Sequence, residues 1–301
     1  MFCMRYALRG MRIVFASTLA VVAACVSGSR TSPSRATPTA PIELTYLGVA
    51  GFQITAAGKT ILVDPYFSRP DFTDDNAGIV PDAAAIAKHS PAKADLVVIA
   101  HSHIDHLLDA PEVAKRTGAQ LMGSDSTVRV GKASGVPDDQ LIQVKGGEDY
   151  AFDGFSVRVI PSLHSAIWEK HALHRAIAEP VTLPLTFSQY EEGGSFAYYV
   201  RVGGHEVYVQ SSANFIEREV MGLRPTIAII AGGLREHVHD YTCRLLTALG
   251  KPPIVIATHF DDWQKPAPGG PYDLSDYAKE VEACAPGTRF IVPTHFQPVT
   301  L

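Results

Sequence analysis

The sequence feature that most constrains the fold is HSHIDH, residues 101–106, which follows directly after the apolar run DLVVIA. An apolar run of this length predicts a buried strand, so the polar residues begin where the strand ends. In layered α/β proteins, ligands bind at the carboxyl ends of strands. Three histidines and one aspartate within this segment therefore predict a metal site at a sheet edge, because neutral imidazole is a preferred ligand of zinc.

The spacing within this segment suggests two groups of ligands. His101 and His103 lie two positions apart, so on an extended segment both side chains can point the same way. Asp105 and His106 can then bind a second ion a few ångströms away. A single histidine is more often a hydrogen-bonded core or surface residue, but four ligand-type residues in so short a segment favour metal binding.

The first 24 residues are typical of a secretory signal. The chain begins MFCMRYALRGMR, with three arginines and no acid, and continues with IVFASTLAVVAA, which is too short for a comfortable membrane span. The next residue is Cys25, and VAAC resembles the bacterial lipobox, in which the cysteine is acylated. We therefore expect a protein of the cell envelope that is lipid-anchored through Cys25. Val26 favours the outer membrane, facing the periplasm, because some bacteria mark inner-membrane retention with aspartate at this position.

The chain that follows Cys25 divides into a stalk and a folded domain. Residues 25–41 are rich in Ser, Thr and Pro and have no apolar period, which predicts a flexible stalk. The whole chain contains 46% hydrophobic and 19% charged residues, so residues 42–301 are expected to form one domain with a large core. In an oxidising compartment Cys243 and Cys284 could pair, although one possible pair is weak evidence for a disulfide.

The charge of the chain limits its partners. Without residues 1–24 it has 23 basic and 31 acidic residues, or a net charge of −8 with neutral histidine. A nucleic-acid partner is disfavoured, because phosphate backbones are bound by clustered lysine and arginine. The expected partners are a small-molecule or lipid-like substrate and the membrane, through the anchor on Cys25.

The pattern of apolar residues predicts strands before helices in each half of the domain. Helices are predicted in PEVAKRTG, near Tyr241 to Leu249 and near Leu274 to Ala285. This order predicts an α+β fold, a four-layer αββα sandwich. The segments predicted as strands are IELTYLG, GFQITAAG, KTILVDP, DLVVIAH, AQLMG, FSVRVIP, SFAYYVRV, HEVYVQS, TIAIIAGG and IVIATHF. Residues 165–194 fit no element, which is typical of a lid or binding loop, and contain Trp168, His171, His174, Phe187 and Tyr190.

HSHIDH resembles the HxHxDH signature of the metallo-β-lactamase superfamily. LGVAGFQITAAGKTILVDPYFS resembles the opening of the branch that contains UlaG-like lactonases and N-acylphosphatidylethanolamine phospholipase D-like hydrolases. The resemblance extends over nearly the whole domain, implies the αββα sandwich, and puts Asp64 at the position of a structural aspartate that ends an early strand. It also implies a zinc-dependent hydrolase that cleaves an ester, lactone, amide or phosphodiester bond, with one tightly bound zinc and a second possible.

The resemblance also implies the remaining metal ligands. His164, in VIPSLHS, stands at the downstream position that completes a first site with His101 and His103. The last ligand of the family follows a late strand, and His259, in IVIATHFDDW, is the expected residue. His295, in IVPTHFQP, is the alternative, because it also follows a strand-like segment.

One position departs from the family pattern. The family has an aspartate after the strand represented by HEVYVQS, and its carboxylate bridges two metals; this chain has Ser212 there. A neutral hydroxyl is a weaker zinc ligand and supplies none of the charge that offsets two dications. Three arrangements remain open: one zinc in the first site, two metals bridged by hydroxide alone, or a carboxylate from elsewhere, such as Asp240.

The catalytic roles follow from the metal chemistry. Asp105 would bind a second metal or, without one, orient the water and accept its proton. His237 and His239, in REHVHDY, are candidates to contact the oxyanion or the leaving group. The alternative is a catalytically weak metal-binding scaffold or a surface binding protein of the same fold, which the missing carboxylate favours. Retention of the other site residues favours the enzyme.

Overall fold

The computed structural model describes residues 40–167, 170–171, 175–267 and 272–301. The predicted signal, Cys25 and most of the stalk lie outside the described residues, as do Trp168 and His174 and the side chain of His171. None of the helices within the described ranges is both long enough and apolar enough to cross a membrane.

The described part of the chain alternates strands and helices in two halves. In chain order its strands are β1 (Ile42–Gly48), β2 (Gly51–Ala56), β3 (Lys59–Val63), β4 (Leu96–Val98), β5 (Gln120–Gly123), β6 (Leu141–Gln143), β7 (Asp149–Phe152), β8 (Phe155–Pro161), β9 (Ala166–Ile167), β10 (Lys170–His171), β11 (Phe196–Val202), β12 (His205–Gln210), β13 (Ile227–Ala231), β14 (Ile254–Thr258), β15 (Arg289–Ile291) and β16 (Pro298–Thr300). Its α-helices are α1 (Ala83–His89), α2 (Ile104–Leu107), α3 (Ala110–Thr117), α4 (Asp125–Ala133), α5 (Glu217–Val220), α6 (Tyr241–Ala248) and α7 (Ser275–Cys284).

The long strands form two mixed sheets. One has the order β16-β1-β2-β3-β4-β5-β6 and the other the order β15-β14-β13-β12-β11-β8-β7. In the first sheet, pairing is antiparallel from β16 to β3 and parallel from β3 to β6. In the second, it is antiparallel from β7 to β12 and parallel from β12 to β15. The parallel parts are where helices cross over, since parallel strands need such connections.

Three apolar cores separate four layers. The central core joins the inner faces of the two sheets, for example Leu44 and Tyr46 from β1 with Tyr198 from β11. A second core packs the first sheet against α3, and a third packs the second sheet against α6 and α7. Along β1, Ile42, Leu44 and Tyr46 enter the central core, whereas Glu43 is exposed and Thr45 half-buried, as a strand period of two requires. The predicted αββα sandwich is therefore confirmed.

The predicted elements agree with the structure in their cores and differ at their ends. The segments IELTYLG and FSVRVIP coincide with β1 and β8, and the helix predicted near Tyr241 to Leu249 is one residue shorter. The structure also pairs Cys243 with Cys284, with their Cα atoms 4.8 Å apart. This disulfide links α6 to the last residue of α7, two helices that share the same outer layer.

Candidate metal centre

The residues of the candidate site follow the carboxyl ends of strands from both sheets. Asp64 follows β3, residues 101–106 follow β4, and His164 follows β8. Ser212 follows β12, and His259 follows β14 directly. The sheet edges therefore bring together side chains that are up to about 200 positions apart in the chain, at the location where ligands bind in this kind of architecture.

The first cluster consists of three imidazoles, those of His101, His103 and His164. Each offers a nitrogen within 4.8 Å of the others, and the centroids of the three ring pairs are 4.6 to 4.7 Å apart. The rings are close to mutually perpendicular, with interplanar angles of 79° to 87°. His103 Nδ1 lies 3.2 Å from His164 Nε2. Three edges that converge in this way are the arrangement of a three-histidine metal site.

The electrostatics of this cluster keep its imidazoles neutral. Burial lowers the pKa of His103 to about 4 and that of His164 to about 3, and it holds the pKa of His101 well below its usual range. Both ring nitrogens of His101 are buried and have no hydrogen-bond partner among the described residues. A buried polar group without a partner costs about 1 to 3 kcal/mol, so a metal ion is the partner that this geometry lacks.

A second group of ligands lies on the other side of His101. Oxygen or nitrogen atoms of His101, Asp105 and His106 lie within 4.8 Å of one another. Asp105 Oδ2 is also 3.5 Å from His106 Nε2 and 3.3 Å from His259 Nε2. Burial opposes ionisation of Asp105, but the neighbouring His106 and His259 outweigh it and lower the pKa of the carboxyl. Asp105 is therefore held as a carboxylate, the form that binds a metal.

Groups behind these ligands hold their orientation. Asp64 lies at a positive φ of 41°, accepts a hydrogen bond from the Ala100 amide at 2.7 Å, and has Oδ2 3.0 Å from His106 Nδ1. His164 Nδ1 lies 2.8 Å from the Ser165 carbonyl oxygen, to which it donates as Nδ1–H, leaving Nε2 for the cluster. A carboxylate or carbonyl behind a histidine is the usual arrangement in metal sites.

His259 and His295, the two alternatives for the last ligand, have different surroundings. His259 faces Asp105, and its ring centroid is 5.4 Å from that of His106. His295 lies outside both clusters, with Nε2 2.9 Å from Asp261 Oδ2 and its ring 4.8 Å from Tyr46. His259, and not His295, therefore lies beside the second group of ligands, and its role as the last ligand stays a prediction.

Asp261 is the centre of a buried network that sequence reasoning missed. Its Oδ1 accepts hydrogen bonds from the Tyr46 hydroxyl and the Val49 amide, both at 2.7 Å. Its Oδ2 accepts from Arg69 at 3.1 Å and from His295. Burial raises the pKa of Asp261, but these donors outweigh it and lower the pKa overall.

This network reaches the metal ligands through the backbone. The Val49 carbonyl accepts a 2.6 Å hydrogen bond from the amide of His259, which has a positive φ of 49°. Gly233 is needed beside it, because a Cβ there would lie 2.6 Å from the His259 carbonyl oxygen. Asp261 therefore fixes Val49, and Val49 fixes His259 in a conformation that non-glycine residues rarely adopt.

Zinc binding by two variants tests this assignment. We expect His259→Ala to lose the more weakly held metal, with affinity reduced by more than about a hundredfold, because a ligand is removed. His295→Ala removes only a support of Asp261, so a loss of about tenfold or less is expected. Zinc titration of both variants, with circular dichroism to verify the fold, is the measurement. Equal zinc affinities in the two variants would contradict the assignment.

Of the other predicted site residues, Ser212 lines the cavity, whereas Asp240, His237 and His239 are exposed outside its lining. Ser212 is buried and lines the cavity described below, so a serine does face the site at the position where the family has aspartate. Asp240 is exposed at the N-cap of α6, without a capping hydrogen bond from its side chain. His237 and His239 are also exposed, and His237 Nδ1 lies 3.0 Å from the Ala166 carbonyl oxygen. Neither histidine is among the residues that line the cavity, so the geometry gives no support to their predicted catalytic role.

A cavity of ≈ 480 Å³ opens over the clusters. His103, Asp105, His164 and His259 form its floor together with Ser212. The loop predicted at residues 165–194 contributes to the wall, as a binding loop would. The remaining residues that line the cavity are Ile104, Ser165, Ile167, Phe187, Ser188, Tyr190, Gly233, Leu234, Phe260, Asp261 and Trp263.

Comparison with known proteins gives the same architecture. Residues 43–217 match the family model described as a beta-lactamase superfamily domain. Igni18, a metallo hydrolase from the archaeon Ignicoccus hospitalis, superposes with a TM-score of 0.59 over 87% of this chain and 98% of its own, at 22% identity. At that identity the likeness shows the fold alone.

Two curated relatives are called UPF0173 metal-dependent hydrolases. The protein from Polynucleobacter asymbioticus is 28% identical over 73% of this chain and 74% of its own length. The protein from Anaeromyxobacter dehalogenans is 31% identical over 52% of this chain, and the match spans about half of that relative, 54% of its length. Since the family model covers more than half of the chain and the fold agrees, the chain belongs to the metallo-β-lactamase superfamily.

Proposed function

We propose that the protein is a metal-dependent hydrolase that uses zinc to cleave an ester, lactone, amide or phosphodiester bond. The observation that carries this proposal is His101, whose two ring nitrogens are buried without a hydrogen-bond partner among the described residues and lie between two groups of ligand-type side chains. Membership of the superfamily and the names of its relatives support the same reading.

The donor set fits zinc. The first cluster offers three neutral imidazoles, and a catalytic zinc site commonly combines three protein ligands with one open position. The floor of the cavity provides that open side, because His103 and His164 line it. His101, His103 and His164 would hold the first ion, and Asp105, His106 and His259 would hold a second.

Zinc bound there would supply water activation near neutral pH and polarisation of the group under attack. The side chains of the chain supply orientation. Asp105, held ionised by His106 and His259, lines the cavity, where its carboxylate can accept a hydrogen bond from the attacking water. Asp64 keeps His106 in one orientation.

The reaction is balanced by water alone. For an ester or amide, the acyl carbon gains an oxygen from water while its bond to the leaving oxygen or nitrogen breaks, and the leaving group takes a proton. A lactone opens to a hydroxy acid by the same exchange. No oxidant, reductant or second substrate is required.

A panel of chromogenic substrates tests the proposed function. Purified protein is assayed against a carboxyl ester, a phosphodiester and a β-lactam in three states: as prepared, after chelation, and after reloading with zinc. We expect hydrolysis of at least one substrate, a loss of more than about a hundredfold on chelation, and recovery with zinc. A rate that chelation leaves unchanged, or no hydrolysis by zinc-loaded protein, would contradict the proposal and favour a metal-binding scaffold.

A further inference from the structure

The wall of the cavity that faces the metal ligands is apolar. It contains Phe187, Trp263 and Leu234, and Phe187 and Leu234 are 39% and 40% exposed. Few large hydrophobic side chains among the described residues are as exposed as these two, and both line the same cavity. Apolar surface that is exposed at one place, beside a functional site, indicates a binding surface.

Three aromatic side chains build this wall from separate segments. Phe187 stacks on Trp263 with centroids 5.7 Å apart and an interplanar angle of 10°. Phe72 packs edge-on against both rings, at 5.6 Å from Phe187 and 4.8 Å from Trp263. The turn of Phe187 is held by Thr186 and Gln189, whose backbone and side chain form a 2.8 Å hydrogen bond. We call Phe187, Trp263 and the supporting Phe72 the aromatic wall; Phe187 and Trp263 line the cavity, and their packing positions them in advance of any ligand.

Beyond the floor where metal ions would bind, the charges around the cavity do not favour an anionic substituent. The described side chains that line it include no lysine or arginine. Its acidic members are Asp105 and Asp261, and Asp261 is paired with Arg69. The Arg69 side chain is buried, and it also donates to the carbonyl oxygens of Asp262 and Lys265. An ionised group on the ligand would therefore leave water without a counter-charge from these residues.

We propose that the substrate is an uncharged ester, lactone or amide whose apolar acyl or aryl group packs against the aromatic wall. The proposal rests on the hydrolytic function proposed above and names its substrate class. The scissile group lies over the histidine and aspartate floor, and the apolar group extends toward Phe187 and Trp263. Binding then gains from each methylene that is removed from water.

Two matched substrate series test the proposal with zinc-loaded protein. In p-nitrophenyl esters from acetate to octanoate, we expect kcat/KM to rise about two- to fourfold per methylene until the wall is covered. The mono-p-nitrophenyl ester of adipate has the chain length of the hexanoate but ends in a carboxylate, and we expect it to react at least about tenfold more slowly.

Variants of the wall connect these preferences to its residues. Phe187→Ala changes a side chain that is 39% exposed, and Trp263→Ala removes the ring stacked on it. Both should flatten the dependence of kcat/KM on the chain length of the ester. Met221→Ala is the control, because Met221 is apolar and 65% exposed but does not line the cavity. Its chain-length dependence should equal that of the wild type.

A binding measurement separates this proposal from the proposed function. Isothermal titration with butyramide, hexanamide and octanamide reports the preference of the wall whether or not any ester is hydrolysed. We expect tighter binding of the longer amides to the wild type and no such trend in Phe187→Ala. Equal binding of all three amides by the wild type, a trend that survives in both wall variants, or faster hydrolysis of the adipate ester would overturn the proposal.

Discussion

His101→Ala is expected to reduce zinc-dependent hydrolysis by more than about a hundredfold, the upper end of what loss of a supporting group behind a ligand costs. His101 would be a ligand of the first ion, and its ring also lies beside the ligand atoms of Asp105 and His106, so its removal should weaken the tight metal position most. Its side chain is also buried, and its ring nitrogens have no hydrogen-bond partner among the described residues, so the substitution breaks no such bond. The measurement is kcat/KM for the best substrate of the panel, together with zinc content.

His205→Gln is the matched control for this variant. His205 is also a buried histidine, but its Nε2 lies 2.8 Å from the carbonyl oxygen of Ala40, at the start of β12 and remote from the cavity lining. It should retain zinc and activity. If His101→Ala kept wild-type activity with a native fold, the metal centre described above would not be the catalytic site.

Ser212→Asp is expected to raise zinc binding from one tight ion toward two, with the second ion at least about tenfold tighter. The backbone of Ser212 is already fixed, because its carbonyl accepts hydrogen bonds from Gln210 Nε2 at 2.9 Å and from the Asn214 amide at 2.8 Å. Its side chain faces the cavity floor, so a carboxylate there would add the negative charge that two dications lack. Zinc titration with stoichiometry is the measurement.

Asp240→Asn distinguishes the competing explanation. Asp240 is exposed on the surface at the start of α6, outside the cavity lining, so we expect this variant to bind zinc like the wild type. Loss of a metal in Asp240→Asn would mean that this carboxylate replaces the missing one. Two tight zinc ions in the unmodified protein, unaffected by Asp240→Asn, would contradict the role assigned to Ser212.

The parts of the site that could be predicted from sequence are those that are local. HSHIDH is contiguous, so its density of ligands was visible without a fold. His164 and His259 needed the resemblance to the family, because only the two sheets bring the ends of β8 and β14 to that segment. His295 shows the limit of such reasoning. It also follows an apolar segment, but its side chain contacts Asp261 and lies outside the metal clusters.

The network around Asp261 could not be predicted because it is non-local. Tyr46 and Arg69 lie 215 and 192 positions from Asp261 in the chain, and no spacing links them. Its signal in the sequence is limited to its position two residues after His259, in THFDDW. The four donors to this buried carboxylate come from segments that meet only in the folded chain, such as the backbone at Val49, so the sequence does not reveal the network.

The fold shows the same division between local and non-local information. The strands of the central core, such as β1 and β8, can be predicted because apolar and polar residues alternate regularly along them. Among the elements missed were α1, α4 and the short strand β16, which pairs with β1 across almost the whole length of the chain. The helices α1 and α4 are short and partly polar, so tertiary packing, more than local propensity, determines them. The acylation of Cys25 and the envelope location stay predictions of the sequence.

The most direct test of the metal centre is zinc analysis of the purified protein beside its His101→Ala variant, after both are reloaded with zinc and dialysed. The account predicts about one tightly bound zinc per chain in the wild type, less than about a tenth as much in the variant, and a hydrolytic rate proportional to the zinc retained. Equal zinc in the two proteins, or a wild-type rate that does not follow its zinc content, would contradict it.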